Sequence, residues 1–274
     1  MSNITRNQFR FFERARVRWV EVDMQRIVFN GHYLMYFDTA VAGYWRAMAM
    51  PYHETMDYLC GDMFVRKATV EYEGSARYDE VIDIGVRCAR IGNSSMIFGA
   101  AVFRGDTLLV GGELVYVFAD PKTQTSLPVP QQLRDALQAF EAGKPMIDVR
   151  LGGWDELGAQ AQPIRNAVFV QEQQIPAEME WDSADAHCVH ALAVNHFGMA
   201  LGTGRLLEHV PGVAKIGRAV LDALMAHARE RGDREVLLHA QMSAVPFYLN
   251  AGFATRGESF DEAGITHVEM VRAL

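Results

Sequence analysis

One stretch limits what this chain can fold into. Leu34, Phe37, Val41, Tyr44, Trp45 and Met48 recur at steps of three and four, which predicts a helix with a wide, bulky apolar face. Pro51 stops that helix. A helix this apolar does not rest on a surface; it needs a sheet packed around it. Ahead of it, Val17 to Val22 alternates as a strand would, and the run ends at Asp23. Asn30 and Gly31 then fall at the first turn of the helix. Unpaired backbone N–H groups at such a start polarise a carbonyl or hold a developing oxyanion. A carboxylate beside them is the minimum equipment for attack on an activated acyl group. An acid in a turn is also commonly a solvated or capping residue, and spacing alone leaves both roles open.

Four alternating runs follow, at 62–73, 80–91, 94–104 and 107–119, rich in β-branched and aromatic residues. Gly92-Asn93 and Gly105-Asp106 separate the later ones as hairpin turns. Gly85, Gly99, Gly111 and Gly112 mark bends, close backbone approach or simple tolerance. Residues 131–144 predict a short amphipathic helix, ended by Gly143 and Pro145.

An acid, then Val-Phe-Asn-Gly-His-Tyr-Leu (28–34) opening an apolar helix, then four long strands, resembles the hotdog-fold acyl-CoA thioesterases of the 4-hydroxybenzoyl-CoA thioesterase type. The resemblance covers roughly residues 10 to 140. It implies an antiparallel sheet wrapped round a central helix, with Asp23 as nucleophile or general base. It also implies that the Asn30 N–H polarises the thioester carbonyl, with Gly31 and Tyr33 beside the substrate. The chain departs from the family twice: many members carry His at the position of Asn30, and Gly at that of Arg26.

A length of 274 residues suits two domains better than one, and a hydrophobic share of 50% is enough for two cores. The formal net charge of −8 argues against a general nucleic-acid binder. It is uneven: 16 basic and 17 acidic residues up to position 145, then 10 and 17 beyond it. An acidic second half either favours an amine or cationic substrate or only aids solubility. Cys60, Cys88 and Cys188 are far apart, which gives neither a zinc knuckle nor a disulfide framework. His187 and His190 have a spacing that could face a metal, but no third ligand accompanies them, so no metal is expected. The N-terminus lacks the apolar core of a signal peptide, and no apolar run reaches transmembrane length. The expectation is a soluble, cytoplasmic protein.

Beyond a linker at about 141–148, the second half reads as β-like (146–154), a helix over about 155–173 with Pro163 at a kink, two strands, a helix over about 218–231, a strand, a short helix and a closing strand. The sequences Val168-Phe169-Val170-Gln171-Glu172-Gln173-Gln174-Ile175-Pro176 and Glu178-Met179-Glu180-Trp181-Asp182 resemble marks of the GNAT superfamily of N-acetyltransferases. So do Gly202-Thr203-Gly204-Arg205-Leu206, Leu238-His239-Ala240-Gln241, Phe247-Tyr248 with Gly252-Phe253, and Gly264-Ile265-Thr266-His267-Val268. Each alone is weak; their order carries the resemblance. It implies a mixed-sheet α/β domain that binds acetyl-CoA without a metal. Tyr248 would supply the acid for the leaving thiolate, Gln241 would contact coenzyme A, and Glu172 would contact the amine or relay its proton. Tyr248 is equally an aromatic packed on the sheet when read without the family. His239 and His267, in strands, read as structural histidines.

The overall expectation is α+β: a hotdog thioesterase-like domain over 1–144 and a GNAT acetyltransferase-like domain over 147–274. Such a chain would be bifunctional, hydrolysing an acyl-CoA and binding acetyl-CoA, with coenzyme A thioesters as substrates and no tightly bound cofactor. The family places its sites between protomers, so a homodimer or homotetramer through the first half is expected. The alternative is an acyl-CoA-binding or regulatory protein without turnover.

One expected piece is missing. Val213 to Ile216 reads as the start of a central strand, and Gly217, Arg218 and the residues after them as a helix start holding the coenzyme A pyrophosphate. The loop that the family sets between strand and helix, Arg/Gln-x-x-Gly-x-Gly/Ala, is not there. Strand and loop cannot be covered in one residue step of about 3.8 Å. Either the loop is lost and acetyl transfer with it, or residues are absent between Ile216 and Gly217.

Overall fold

A computed structural model describes residues 4–174, 176–177, 183–210, 213–216, 220–262 and 264–274; for 183, 208–210 and 213–216 it describes the backbone alone. The chain divides into two compact units, Met1–Met146 and Ile147–Leu274.

The first unit is an antiparallel sheet with helices. Its strands are β1 (Phe11–Arg16), β2 (Asp62–Tyr72), β3 (Val81–Ile91), β4 (Ser95–Arg104) and β5 (Thr107–Ala119), in the spatial order β1-β3-β4-β5-β2. The helices are α1 (His32–Ala47), α2 (Tyr52–Tyr58) and α3 (Gln131–Glu141). All four downstream strands lie where the alternation predicts them, and Gly105 turns β4 into β5 at φ +58.

Helix α1 buries Tyr33, Tyr36, Phe37, Ala40, Val41, Tyr44 and Trp45, and Met48 just beyond its end is buried too. Its rings meet Phe98 of β4 edge-on, with centroids 5.7 Å from Tyr44 and 5.4 Å from Trp45. Gly112 of β5 is required here, because a Cβ would strike the Thr69 carbonyl and the Phe37 ring. The Tyr44 hydroxyl donates to Glu141 (2.6 Å), which ties α3 to α1. Leu34 is a correction to the predicted stripe. It is 41% exposed, because the buried arc is centred on Tyr33, Phe37, Ala40 and Tyr44, leaving Leu34 at the margin with Met35.

The segment 17–22 is a second correction. The first strand lies earlier, at Phe11–Arg16, and Trp19–Glu21 is a 3-10 turn. Trp19 and Val20 are exposed while Glu21 is buried, the reverse of the expected alternation. The cause is the Glu21 carboxylate. It accepts from the Arg18 N–H (2.7 Å), the Arg18 guanidinium (2.8 Å) and the Tyr36 hydroxyl (2.7 Å), closing a local turn that a strand cannot accommodate. Burial alone would raise the Glu21 pKa; the Arg18 N–H, Tyr36 and the Arg18 charge outweigh it and hold the carboxyl below its usual range.

The second unit is a mixed sheet. Its strands are β6 (Ile147–Gly152), β7 (Val189–Asn195), β8 (Ala200–Val210), β9 (Val213–Ile216), β10 (Glu235–Gln241), β11 (Ala254–Glu262) and β12 (Ile265–Ala273), ordered β11-β12-β10-β9-β8-β7-β6. Among its described pairs, β9 and β10 run parallel and the others antiparallel. Helices α4 (Trp154–Arg165), α5 (Leu221–Arg231) and α6 (Val245–Asn250) complete it. Strand β11 is absent from the sequence expectation. Its charged residues sit on an exposed edge, so it shows no apolar alternation.

Pro163 lies inside α4, and Asn166–Glu172 continues as a π-helix. Proline has no N–H to donate and its ring crowds the preceding turn, a standard origin for such irregularity. Helix α5 begins at Leu221, the expected start being about Arg218. Gly217, Arg218 and the Ile216–Gly217 step lie outside the described residues. Val220, just before α5, takes a left-handed φ of +61, a strained choice for a β-branched residue.

Candidate active sites

In the first unit the candidate site is the ribbon that feeds α1. Val22 and Val28 bridge antiparallel, so residues 23–27 form its tip. The Asp23 N–H donates to the Ile27 carbonyl (2.9 Å), and the Asp23 carbonyl accepts from the Arg26 N–H (2.9 Å). The Asp23 carboxylate is half-buried and accepts the Gln25 N–H at 2.8 Å. Arg26 adopts φ +64, which gives a physical reason for the glycine the resemblance implies at that position. The ribbon is pinned from the side: the Val28 N–H donates to the Ala76 carbonyl (2.9 Å), and Ile27 bridges Arg77.

Asn30 and Gly31 are exposed at the start of α1. Their N–H groups donate to no acceptor among the described residues, while the Asn30 carbonyl accepts the Tyr72 hydroxyl (3.0 Å). The structure therefore presents a carboxylate and two unsatisfied helix-start donors on one short loop. Tyr33 is buried, and its hydroxyl accepts the N–H of Ala76 (3.0 Å), whose carbonyl holds the Val28 N–H of the ribbon; burial raises the Tyr33 pKa above the ordinary value. Glu21, the buried carboxylate beside that ribbon, is invisible to sequence patterning because its position reads as an ordinary polar face.

In the second unit the described part of β9 ends at Ile216. β9 pairs with β10 only along Glu235, Val236 and Leu237, and with β8 only from Leu206 onward. The far half of β10 and the near half of β8 thus lack a strand between them among the described residues. A cavity of about 370 Å³ opens there. β8 contributes Leu201, Gly202 and Thr203; β10 contributes His239 and Gln241; β12 contributes His267. Arg165 closes it from α4, Val168, Phe169 and Gln173 from the π-helical stretch and the residue after it, and Tyr248 from α6. π-Helical turns recur at functional sites because they aim side chains off the regular helical face.

The cavity brings together Gln241 and Tyr248, as the resemblance implies. Gln241 donates to the Gln173 side chain (3.1 Å), and Tyr248 is buried. Glu172 is exposed and is not among the lining residues; its neighbour Gln173 is. No described lining residue is a carboxylate, so the acidic charge of this half does not line the cavity. His239 and His267, read from sequence as structural, both line the cavity.

Asp185, Cys188 and His190 are buried together with their ligand-type atoms within 4.8 Å of one another. One Asp185 oxygen accepts from both Arg165 and Arg205 at 2.7 Å, and the His190 Nε2–H donates to the Asp185 carbonyl (2.9 Å). A cation would have to displace two guanidinium groups, so the cluster fits a buried ion pair better than a metal centre. His187 is exposed and does not face it.

A family model described as an acetyltransferase (GNAT) domain matches residues 214–274, and one described as the thioesterase superfamily matches residues 25–111. The N-acetyltransferase YjcF of Bacillus subtilis, described as uncharacterized, is 32% identical over 123 residues, covering 40% of this chain and 87% of that protein. The acyl-CoA thioester hydrolase YbgC of Escherichia coli is 25% identical over 123 residues, covering 43% of this chain and 89% of its own length. The crystal structure of the PA5185 protein from Pseudomonas aeruginosa superposes with a TM-score of 0.45 at 28% identity, covering 52% of this chain and 98% of that one. The chain belongs to the GNAT acetyltransferase family through its C-terminal domain, which is fused to an N-terminal domain of the thioesterase superfamily. At the level of family this assigns hydrolase and acyltransferase character. Among the described residues no helix is long and apolar enough to cross a membrane.

Proposed function

We propose that residues 1–144 hydrolyse an acyl-CoA thioester and that residues 147–274 bind acetyl-CoA and pass its acetyl group to an amine. The observation that carries the first half is the unsatisfied pair of N–H groups at Asn30 and Gly31, on the loop that also carries Asp23. They would hold the oxyanion, each donor contributing about 3 kcal/mol to the transition state. Asp23 would take the proton of the attacking water or form a mixed anhydride that water then opens. The description of YbgC as an acyl-CoA thioester hydrolase, and of YjcF as an N-acetyltransferase, agrees with this division.

We read the first unit as a hotdog. Helix α1 lies against β1 and β2, the two edge strands, as well as against β3, as a sheet curled around it requires. The β2 edge, with Val65 half-exposed, is suited to pairing across a two-fold axis in a homodimer or a homotetramer. Light scattering that returns a monomer at micromolar concentration counts against that assembly.

The test of the hydrolase is thiol release from short and aromatic acyl-CoAs. Asp23→Asn is expected to abolish it with the fold intact; near-normal turnover removes the assignment. One observation favours a second reading. The Asp23 carboxylate is already engaged by the Gln25 N–H, as suits a protein that sequesters acyl-CoA. Stoichiometric acyl-CoA binding without any thiol release would select that reading.

A further inference from the structure

We infer that His267 is the proton acceptor of the C-terminal cavity, taking the proton from the amine as it attacks the thioester. This rests on the acetyl-transfer reading of that unit and assigns its base.

The ring sits on β12, and its backbone position pairs with Gln241 of β10, so both project at the wall of the same cavity. The His267 Nδ1–H donates to the Ile265 carbonyl at 2.7 Å. A carbonyl oxygen only accepts, so this bond fixes the tautomer: Nδ1 carries the proton and Nε2 carries the lone pair. The Phe260 ring stacks on His267 at 6.2 Å and 25°, which fixes the plane of the imidazole. The side chain is only half-buried, so a proton it accepts can pass on to solvent.

Two other described lining groups are worse suited: Arg165 is a permanent cation held by Asp185, and Tyr248 is the candidate acid. His239 of β10 lines the same cavity with its Nδ1 paired to Glu262 of β11 (3.1 Å), while the His267 ring meets Phe260 of β11. Glu172, the residue that the sequence offered as a proton relay, is not among the lining residues.

The step balances. The amine nitrogen forms a bond to the carbonyl carbon, and its proton goes to His267 Nε2. The carbon–sulfur bond breaks with its electron pair on sulfur, and the thiolate takes a proton from the Tyr248 hydroxyl. His267 then returns its proton through solvent to the phenolate.

The test uses the full chain with acetyl-CoA and a panel of free amino acids and arylalkyl amines, and reads amine-dependent thiol release. With the amine that wild type accepts, His267→Gln is expected to lower kcat about 100-fold, the usual size for a general base, with KM for acetyl-CoA within threefold. Added imidazole is expected to restore part of the loss, and His187→Gln, at an exposed histidine outside the cavity, to keep the rate. A His267→Gln rate within threefold of wild type overturns the assignment alone. So does a loss confined to His239→Gln. A wild-type protein with no amine-dependent release overturns the acetyl-transfer reading and the base with it. Independently of activity, long-range nitrogen NMR of the ring is expected to report the Nδ1–H tautomer; an Nε2–H tautomer overturns the proposal even if His267→Gln fails to fold.

Discussion

The N-terminal candidate site forms where a helix begins, and the C-terminal one is lined by residues of three strands. At the start of α1 the chemistry comes from backbone N–H groups that no helical turn can satisfy, with an acid on the ribbon leading in. That site is exposed, and its precision comes from a ribbon pinned by Val28, Tyr33 and Ala76. In the second unit the chemistry comes from side chains that β8, β10 and β12 bring to one cavity. That site is walled, with Tyr248 buried in the same core as Val236, Leu238 and Met270. A helix terminus is a local device and tolerates a solvent-facing setting. A cavity lined from several strands is a long-range device and needs a whole sheet to hold its walls apart.

The contrast can be broken first by catalysis. Asp23→Ala is expected to reduce acyl-CoA hydrolysis about a thousandfold while leaving amine-dependent release untouched. Tyr248→Phe is expected to do the converse, lowering amine-dependent kcat about a hundredfold. Either variant suppressing both activities would show that the two sites are not separate.

Stability offers the next test. Gly112→Ala forces a methyl between the Thr69 carbonyl and the Phe37 ring, so α1 must lift from its sheet. A loss of about 2–3 kcal/mol in denaturant unfolding of the first unit is expected, with the second unit unchanged. A change below 0.5 kcal/mol, at the level of a neutral surface substitution, would mean that α1 is not seated as described.

Acid should also separate the two. Asp83 is held below its ordinary value of 3.8 mainly by the Arg14 hydrogen bond, with Arg6 assisting against burial, and Glu21 lies below its ordinary 4.5. Depressed carboxylates stabilise fully above their unfolded values, and the stabilisation is lost as pH falls through the folded ones. The first unit is therefore expected to lose stability below about pH 4, read as a falling melting midpoint. Asp83→Asn should flatten that fall; an unaltered acid profile would remove Asp83 as its source.

The smallest effect is at the ribbon tip. Arg26→Gly relieves a left-handed φ at the cost of chain entropy, for a net gain of about 0.5–1 kcal/mol. If it also raises hydrolysis, the tip geometry limits that site; destabilisation would mean that the Arg26 side chain holds the tip.

Much of this was legible in the sequence because it is local. Periodicity located α1 and the four long strands of the first unit, since a period of 3.6 or 2 is written residue by residue. The π-helical irregularity after Pro163 and the turn at Gly105 follow from single-residue backbone constraints. Resemblance, not periodicity, pointed to Asp23, Gln241 and Tyr248. What the tertiary structure alone decided depends on which side chains meet across the chain. Glu21 turns inward because Arg18 and Tyr36 are there to receive it, and the Tyr33 hydroxyl is fixed because Ala76 offers it an N–H. His267 becomes a candidate base only because β12 pairs with β10 and sets it opposite Gln241 at one cavity, a juxtaposition set by sheet order rather than by any neighbouring residue in sequence.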